Sequence, residues 1–296
     1  MRFKEIVLAD LPVFEKILSR HPQRICCFTP QALFAWRNVY QYQWSLPDPD
    51  TFFVSFETLE DEGTAFFQPV GPFSAAAQEK VLGLFREMEY PGRIFNVGEE
   101  FLAEHPAFVK QFDVIREDGL VNYIYNTQDL ALLRGAAYEK KRNMIANARK
   151  LYQWTAEPVT PGDRSALEEI LLRWQKSYED HDIFRDNEAL AAGEAISNFA
   201  ELSYRGVLIR VDDRPAAFSL FARLNPGTAG INFMKADKQY RGLSEIIHQE
   251  TAKAIDAAGY PLINLEEDWD IPGLRRNKQS YRPAELIPSY ILEFRL

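Results

Sequence analysis

The segment Gln239-Tyr-Arg-Gly-Leu-Ser244 lies between an apolar run over residues 229–237 and a run of helical periodicity that reaches residue 258. A strand, a tight Gln-x-x-Gly-x-Ser loop and a helix leave the first helical N–H groups without intrahelical acceptors. The helix dipole adds about half a positive charge there. Such a loop can hold an anion, either a pyrophosphate or the 3′ end of a tRNA. Gly242 lets a ligand approach the backbone, Arg241 adds a charge-assisted contact, and Gln239, Ser244 and the upstream Lys235 complete the expected donor-binding set. The same spacing also suits a plain strand-to-helix turn in which glycine relieves backbone strain.

A second group of chemically able residues follows. Glu266, Glu267 and Asp268 end the run 261–268, which reads as a strand. Strand alternation puts Glu266 and Asp268 on one face and Glu267 on the other. A carboxylate there could take a proton from an attacking amine or hydroxyl if burial or a like-charged neighbour raises its pKa, or it could bind an ammonium group. A solvated acidic strand end is the plainer alternative. Arg275, Arg276, Lys278 and Arg282 then bring four positive charges within eight residues, after the loop signal Pro272-Gly273. They can partner the acids, hold a phosphate, or do both, since a carboxylate can fix an arginine whose other donors face a ligand. Tyr281 carries a phenol able to hand a proton to a leaving group, or it is a buried packing residue.

These residues need elements to position them. The pattern predicts helices over 10–20, 30–40 and 74–89, a hairpin of 51–57 with 64–69, and strands over 93–97 and 112–126. It then predicts helices over 164–180 and 188–204 and strands over 206–211, 216–224 and 228–237, with a turn at Asp212-Asp213-Arg214-Pro215. The order helix, helix, strand, strand, helix, strand occurs twice, which implies a duplicated α/β unit. In the first copy the counterpart of the glycine loop is Val70-Gly-Pro-Phe-Ser74, where Pro72 lacks a donor and suits a structural turn. Chemistry is therefore expected in the C-terminal half. Between the copies a helix over 127–152 is expected, with Leu133, Ala137, Met144, Ala148 and Leu151 as its apolar stripe. Lys140 and Lys141 fall inside that stripe. Either their ammonium groups snorkel to water or, with Arg142, Asn143, Arg275 and Lys278, they form a phosphate or carboxylate site.

Composition sets the outer limits. The 296 residues are 46% hydrophobic and 26% charged, ordinary for a water-soluble globular chain. No run of about 18 apolar residues occurs and the first twenty residues are interrupted by charges, so neither a membrane span nor a signal peptide is expected. The net charge of −9 argues against general nucleic-acid binding, so any RNA contact must be through local basic patches. Cys26 and Cys27 are adjacent, which disfavours an ordinary disulfide and offers no zinc spacing; a reducing cytoplasm is the simplest location. His21, His105, His181 and His248 are scattered, and no metal site or acyl-enzyme serine is expected. The aromatic residues Phe28, Phe34, Trp36, Tyr40, Tyr42 and Trp44 could line a slot, but the spacing of Leu33, Trp36 and Tyr40 favours core packing.

Three strands, a Gln-x-x-Gly-x-Ser loop, a helix and a further strand resemble the core of the Gcn5-related acetyltransferase fold. That fold usually has glycine or alanine where Ser244 stands, and Ser244 could double as a helix cap. A longer series is similar to the C-terminal domain of phosphatidylglycerol lysyltransferases: Asn122-Tyr-Ile-Tyr125, Leu133-x-Gly135, Lys140-Lys-Arg-Asn143, Lys235-Ala-Asp237 with Gly242, Asn264-x-Glu-Glu-Asp268, Gly273-Leu-Arg275 and Lys278-x-Ser-Tyr-x-Pro283. The resemblance implies an α/β chain with a tandem duplication of a Gcn5-related acetyltransferase-like fold and mixed central sheets. The expected division is 1–126, a linking helix 127–152, and 153–296 carrying the site. It further implies an acyltransferase that moves an aminoacyl group from aminoacyl-tRNA, or an acyl group from acyl-CoA, to an amine or hydroxyl of a small molecule or lipid headgroup. Membrane-bound members carry a transmembrane half that this sequence lacks. No tightly bound cofactor is expected. Glu266, Asp268 and Tyr281 are the catalytic candidates, and the donor carbonyl would sit beside residues 233–236, where disrupted strand pairing frees a backbone N–H. The competing reading is a non-catalytic ligand-binding protein that keeps the same cleft.

Overall fold

The computed structural model describes residues 1–58, 63–177 and 183–295. Fourteen strands are present among them: β1 (Lys4–Glu5), β2 (Gln43–Asp48), β3 (Thr51–Glu57), β4 (Thr64–Phe67), β5 (Arg93–Val97), β6 (Phe112–Arg116), β7 (Asn122–Asn126), β8 (Trp154–Pro158), β9 (Arg205–Val211), β10 (Arg214–Asn225), β11 (Thr228–Ala236), β12 (Leu262–Asn264), β13 (Glu285–Ile287) and β14 (Tyr290–Phe294). They form two seven-stranded sheets, ordered β1-β2-β3-β4-β5-β14-β6 and β13-β7-β12-β11-β10-β9-β8. The chain divides into two compact units, residues 1–122 with 267–274 and 286–296, and residues 123–266 with 275–285.

The two sheets share one construction. Each holds a parallel pair, β4 with β5 and β11 with β12, flanked on both sides by antiparallel pairs. A parallel pair needs a crossover, and in both cases a helix supplies it: Ala75–Arg86 in the first unit and Leu243–Ala257 in the second. The first helix packs an edge-on Phe85 against Phe66 at 5.3 Å, within an aromatic core that includes Phe53, Phe73, Phe108, Phe112 and Phe294. Burying each such ring contributes roughly 1.5–3 kcal/mol. The second core is mainly aliphatic, with Ile209, Ile231, Leu243, Ile247, Ile255 and Ile263 beside a few aromatic rings such as Tyr125 and Phe221.

Several sequence expectations are corrected. The run 112–126 is two strands in different sheets, because a 3-10 turn at Asp118–Leu120 interrupts it and the Glu117 side chain accepts the Gly119 N–H. The helix expected over 127–152 breaks into Thr127–Leu132, a 3-10 turn Ala136–Tyr138 and Glu139–Leu151. At the break Leu133 has φ 48° and Gly135 φ 84°, and the Arg142 guanidinium donates to the carbonyls of both residues. The expected apolar stripe holds only in part: Leu133 and Ala148 are buried, but Leu151 is 66% exposed, and Lys141 and Ile145 share the buried face with Ala148. The acidic strand ends at Asn264, whose Oδ1 accepts the Glu266 N–H at 2.6 Å, and Glu266 turns left-handed at φ 63°. The expected alternation of its three acids is lost. Pro272 and Gly273 open the helix Pro272–Ser280, with proline at a position whose N–H has no helical acceptor anyway.

The remaining differences are smaller. The helix expected over 30–40 stops at Trp36, and that expected over 188–204 runs Ile183–Ser197. Residues 178–180, the end of the helix expected over 164–180, and His181 lie outside the described residues; the described helix is Arg164–Lys176. The Val70–Ser74 segment is a structural turn: Gly71 has φ 126° and Ser74 caps the next helix by accepting the Ala77 N–H. Phe28, Leu33, Phe34, Tyr42 and Trp44 are buried core residues, whereas Trp36 and Tyr40, expected in the core from their helical spacing, are half-buried and stack on each other at 5.7 Å.

Candidate functional site

The second unit contains an opening in its sheet. β11 pairs with β12 only over Thr228–Gly230 against Leu262–Asn264, yet β11 continues to Ala236. After Asn264 the chain stays with β7, since the Leu265 N–H donates to the Tyr123 carbonyl and the Tyr123 N–H to that of Glu266. On its other side β11 pairs with β10 through Leu220–Phe233 and Phe221–Ile231, which leaves Asn232 as an unpaired bulge residue. Pairing is thus disrupted at Asn232, one residue before the 233–236 stretch expected from sequence.

Polar side chains gather at the bulge. Asn232 is 6% exposed and its Nδ2 donates to Glu266 Oε1 at 3.0 Å. Asn232 Oδ1 has no donor among the described residues, and neither does the hydroxyl of Tyr204, which is 4% exposed. Burial first, and then the nearby Glu266 carboxylate, push the Tyr204 phenol well above its usual range, so it stays protonated. Glu266 itself is half-buried. Glu266 is among the candidates singled out from sequence, and Asn232 and Tyr204 are not. One signal for Asn232 was available, an amide inside the apolar run Ile231-Asn-Phe233.

The glycine loop is largely bonded to itself. The Gln239 N–H and Nε2 both donate to Asp237, the Tyr240 N–H donates to the Asp237 carbonyl, and the Leu243 N–H to that of Tyr240. Asp237 also sits 2.9 Å from Arg173 Nε. Gly242 is the N-cap at φ 85°, and a Cβ there would meet the Met144 carbonyl oxygen at 2.9 Å, so its close neighbour is the helix Glu139–Leu151. Ser244 lies in the first helical turn, is exposed, and does not cap the helix. Among the described residues no acceptor meets the N–H groups of Ser244 and Glu245. The Glu245 carboxylate, buried in that first turn, already complements the helix dipole and lies 3.5 Å from Lys141 Nζ.

Other predicted residues of this unit have structural partners. Lys235 is buried, ion-paired with Glu188 and 4.1 Å from the Trp174 ring centroid. Lys141 Nζ stands 3.8 Å over the Tyr281 ring, and burial lowers its pKa although Glu245 opposes the shift. Tyr281 is 1% exposed with no partner for its hydroxyl among the described residues; burial, then Glu245 and Tyr125, hold its phenol well above the ordinary range. His248 packs at 4.6 Å on the same ring and is pulled down to about 3 by burial and by Lys141 and Lys278. Buried Lys278 donates to the Leu265 carbonyl, where the sheet opens, and its own carbonyl accepts from Tyr125 at 2.8 Å. Lys140, Arg142 and Asn143 are exposed, and Arg275 is half-buried on the helix Pro272–Ser280.

Glu267 and Asp268 belong to the first unit, so the acidic triplet is divided at Glu266. The Cys26 thiol donates to both Glu267 oxygens at 3.0 and 3.1 Å, and Asn122 Nδ2 donates to Oε1 at 3.3 Å. Asp268 is fully buried and its Oδ1 accepts the Asp270 N–H at 2.9 Å. Among the described residues no three His, Cys, Asp or Glu side chains gather as metal ligands, and no helix is long and apolar enough to cross a membrane.

Solved structures share the fold. A conserved protein of unknown function from Bacteroides thetaiotaomicron is 27% identical, with TM-score 0.88 and full coverage of both chains. The C-terminal domain of a proposed lysylphosphatidylglycerol synthetase from Agrobacterium fabrum is 15% identical with TM-score 0.69, over 97% of this chain and 92% of that one. The L-PGS of Bacillus licheniformis is 12% identical with TM-score 0.68, over 95% of this chain and 90% of the other. No curated protein matches. The fold is a tandem duplication of the Gcn5-related acetyltransferase-like α/β unit, with two mixed sheets. Residues 27–293 match the family described as phosphatidylglycerol lysyltransferase, C-terminal, and the chain belongs to that family of acyl-transferring proteins.

Proposed function

We propose that this chain transfers an aminoacyl group from the ester of an aminoacyl-tRNA to an amine or hydroxyl on a small molecule or lipid headgroup. The observation that carries the reading is the Asn232–Glu266 bridge across the opening between β11 and the chain beyond β12. There the donor carbonyl lies along the β11 edge, where a backbone N–H without a strand partner stabilises the oxyanion. Glu266 accepts the proton of the attacking amine or hydroxyl. The new bond to the carbonyl carbon forms, the ribose ester C–O bond breaks, and protonated Glu266 gives its proton to the departing ribose oxygen, which leaves as a hydroxyl. No covalent enzyme intermediate is needed.

Two features favour the RNA ester over acyl-CoA. The first turn of Leu243–Ala257, where a pyrophosphate would sit, already holds the Glu245 carboxylate, and the Gly242 face is filled by Met144. A like charge there opposes a pyrophosphate. The adjoining helix Glu139–Leu151 meanwhile exposes Lys140, Arg142, Arg149 and Lys150, with exposed Lys238 and Arg241 on the loop beside it. On a chain of net charge −9 this is a local patch suited to several phosphates. Use of charged tRNA would place the reaction in the cytoplasm.

The test offers labelled aminoacyl-tRNAs and labelled acyl-CoAs with amine and hydroxyl acceptors. Product from the RNA ester, with donor affinity falling steeply as salt rises, is the expected result. Product from acyl-CoA without RNA overturns the donor assignment. Saturable binding of both donor classes without any product supports the non-catalytic binding reading instead.

A further inference from the structure

The first sheet ends on β6, a strand whose outer edge is unpaired and complementary to itself. We propose that two copies of this chain associate by antiparallel pairing of β6 with β6, centred on Val114, so that their first sheets become one. This association does not depend on the transfer chemistry.

Hydrogen-bond parity leads there. β6 pairs with β14 in an unbroken register from Phe112–Phe294 to Arg116–Tyr290. Beyond its two ends the Arg295 N–H donates to the Gln111 carbonyl at 3.1 Å and the Glu117 N–H to that of Ser289 at 3.2 Å. Antiparallel bonding alternates, so Asp113 and Ile115 also face β14. Phe112, Val114 and Arg116 therefore turn their N–H and C=O groups outward, where no partner meets them among the described residues. The other sheet edges are poorer templates: β1 has two residues, β13 has three, and β8 ends in Pro158, which lacks a donor. β6 has five residues, no proline, and adjacent Val114 and Ile115, 46% and 41% exposed on opposite faces.

Charge selects the partner and the register. Centred on Val114, the outward residues of two copies meet one another: Val114 meets Val114 and Phe112 meets Arg116, each pair exchanging both N–H···O bonds. Exposed Lys110 then lies opposite exposed Asp118 of the second copy on both sides of the axis, and Gln111 opposite Glu117. The row Leu292–Val114 continues through Val114 to Leu292 of the second copy. Other centres fail. Asp113 at the centre opposes its own carboxylate, Ile115 sets Asp113 against Glu117, Arg116 opposes itself, and Phe112 runs the strand into the helix Pro106–Val109.

Sedimentation equilibrium on the full chain should show a reversible dimer. Hydrogen exchange should find the Val114 and Arg116 amides protected in the dimer and released on dilution, while Asp113 and Ile115 stay protected by β14 throughout. Val114→Pro removes only an outward donor, so the fold should persist while dimer affinity falls at least about tenfold. Lys110→Asp sets like charges against each other at both flanks and should weaken the dimer about tenfold; adding Asp118→Lys should restore it. A chain that stays monomeric at every concentration, a dimer whose Val114 and Arg116 amides exchange freely, unchanged affinity in Val114→Pro, or no rescue in the doubly reversed variant overturns the proposal.

Discussion

His248 lies against the Tyr281 ring, and burial together with the charges of Lys141 and Lys278 holds its imidazole at about 3. A free histidine titrates near 6.5, so as pH falls the unfolded chain takes up this proton well before the folded one. Stability is therefore intact above about 6.5 and declines as pH drops from there towards 3, at up to about 1.4 kcal/mol per unit. Chemical denaturation at pH 7 and pH 5.5 should show the wild type losing roughly 1 kcal/mol more than His248→Leu over that interval. Parallel losses would mean the imidazole charges in the folded state. The same cluster shows what single residues reveal in sequence. Lys141 on an apolar face was visible as an anomaly, but its answer, Glu245 one helix away and an aromatic ring beneath it, required the fold.

At the scale of elements, the join between the glycine loop and the helix Glu139–Leu151 is the most constrained. Gly242 combines φ 85° with a Met144 carbonyl 2.9 Å from any added Cβ. Gly242→Ala should cost about 2 kcal/mol or more, from the left-handed backbone and the displaced helix together. A melting temperature equal to wild type would show that the loop relaxes freely. The strand, loop and helix around this glycine were legible from periodicity and residue type. What glycine approaches was not, because Met144 is about a hundred positions away in sequence. Likewise, residues 112–126 carry continuous strand-forming patterning, and only the Glu117-Asp118-Gly119 turn divides them between sheets. β12 ends earlier than its apolar pattern implies because Asn264 accepts the backbone N–H two residues on, a local turn hidden in an apolar run.

For the whole molecule, duplication is written in topology rather than in residue identity. Both sheets carry a parallel pair closed by a helix, and the repeated element order announced this. The C-terminal strand did not. β14 inserts between β5 and β6 and buries Leu292 and Phe294 in the aromatic core, so the first sheet is completed only when the last residues arrive. Deleting residues 289–296 should destabilise the first unit by several kcal/mol, since each lost aliphatic or aromatic side chain removes roughly 1.5–3 kcal/mol. Amide hydrogen exchange would show β5 and β6 losing protection together; retained protection would mean the sheet closes without β14. Single-turnover transfer from aminoacyl-tRNA probes the opening in the other sheet. Glu266→Gln keeps the shape of the side chain and an acceptor for Asn232 but removes the base. The wild type should transfer, and the folded variant should lose at least about 100-fold in rate. Equal rates in the two proteins would contradict it.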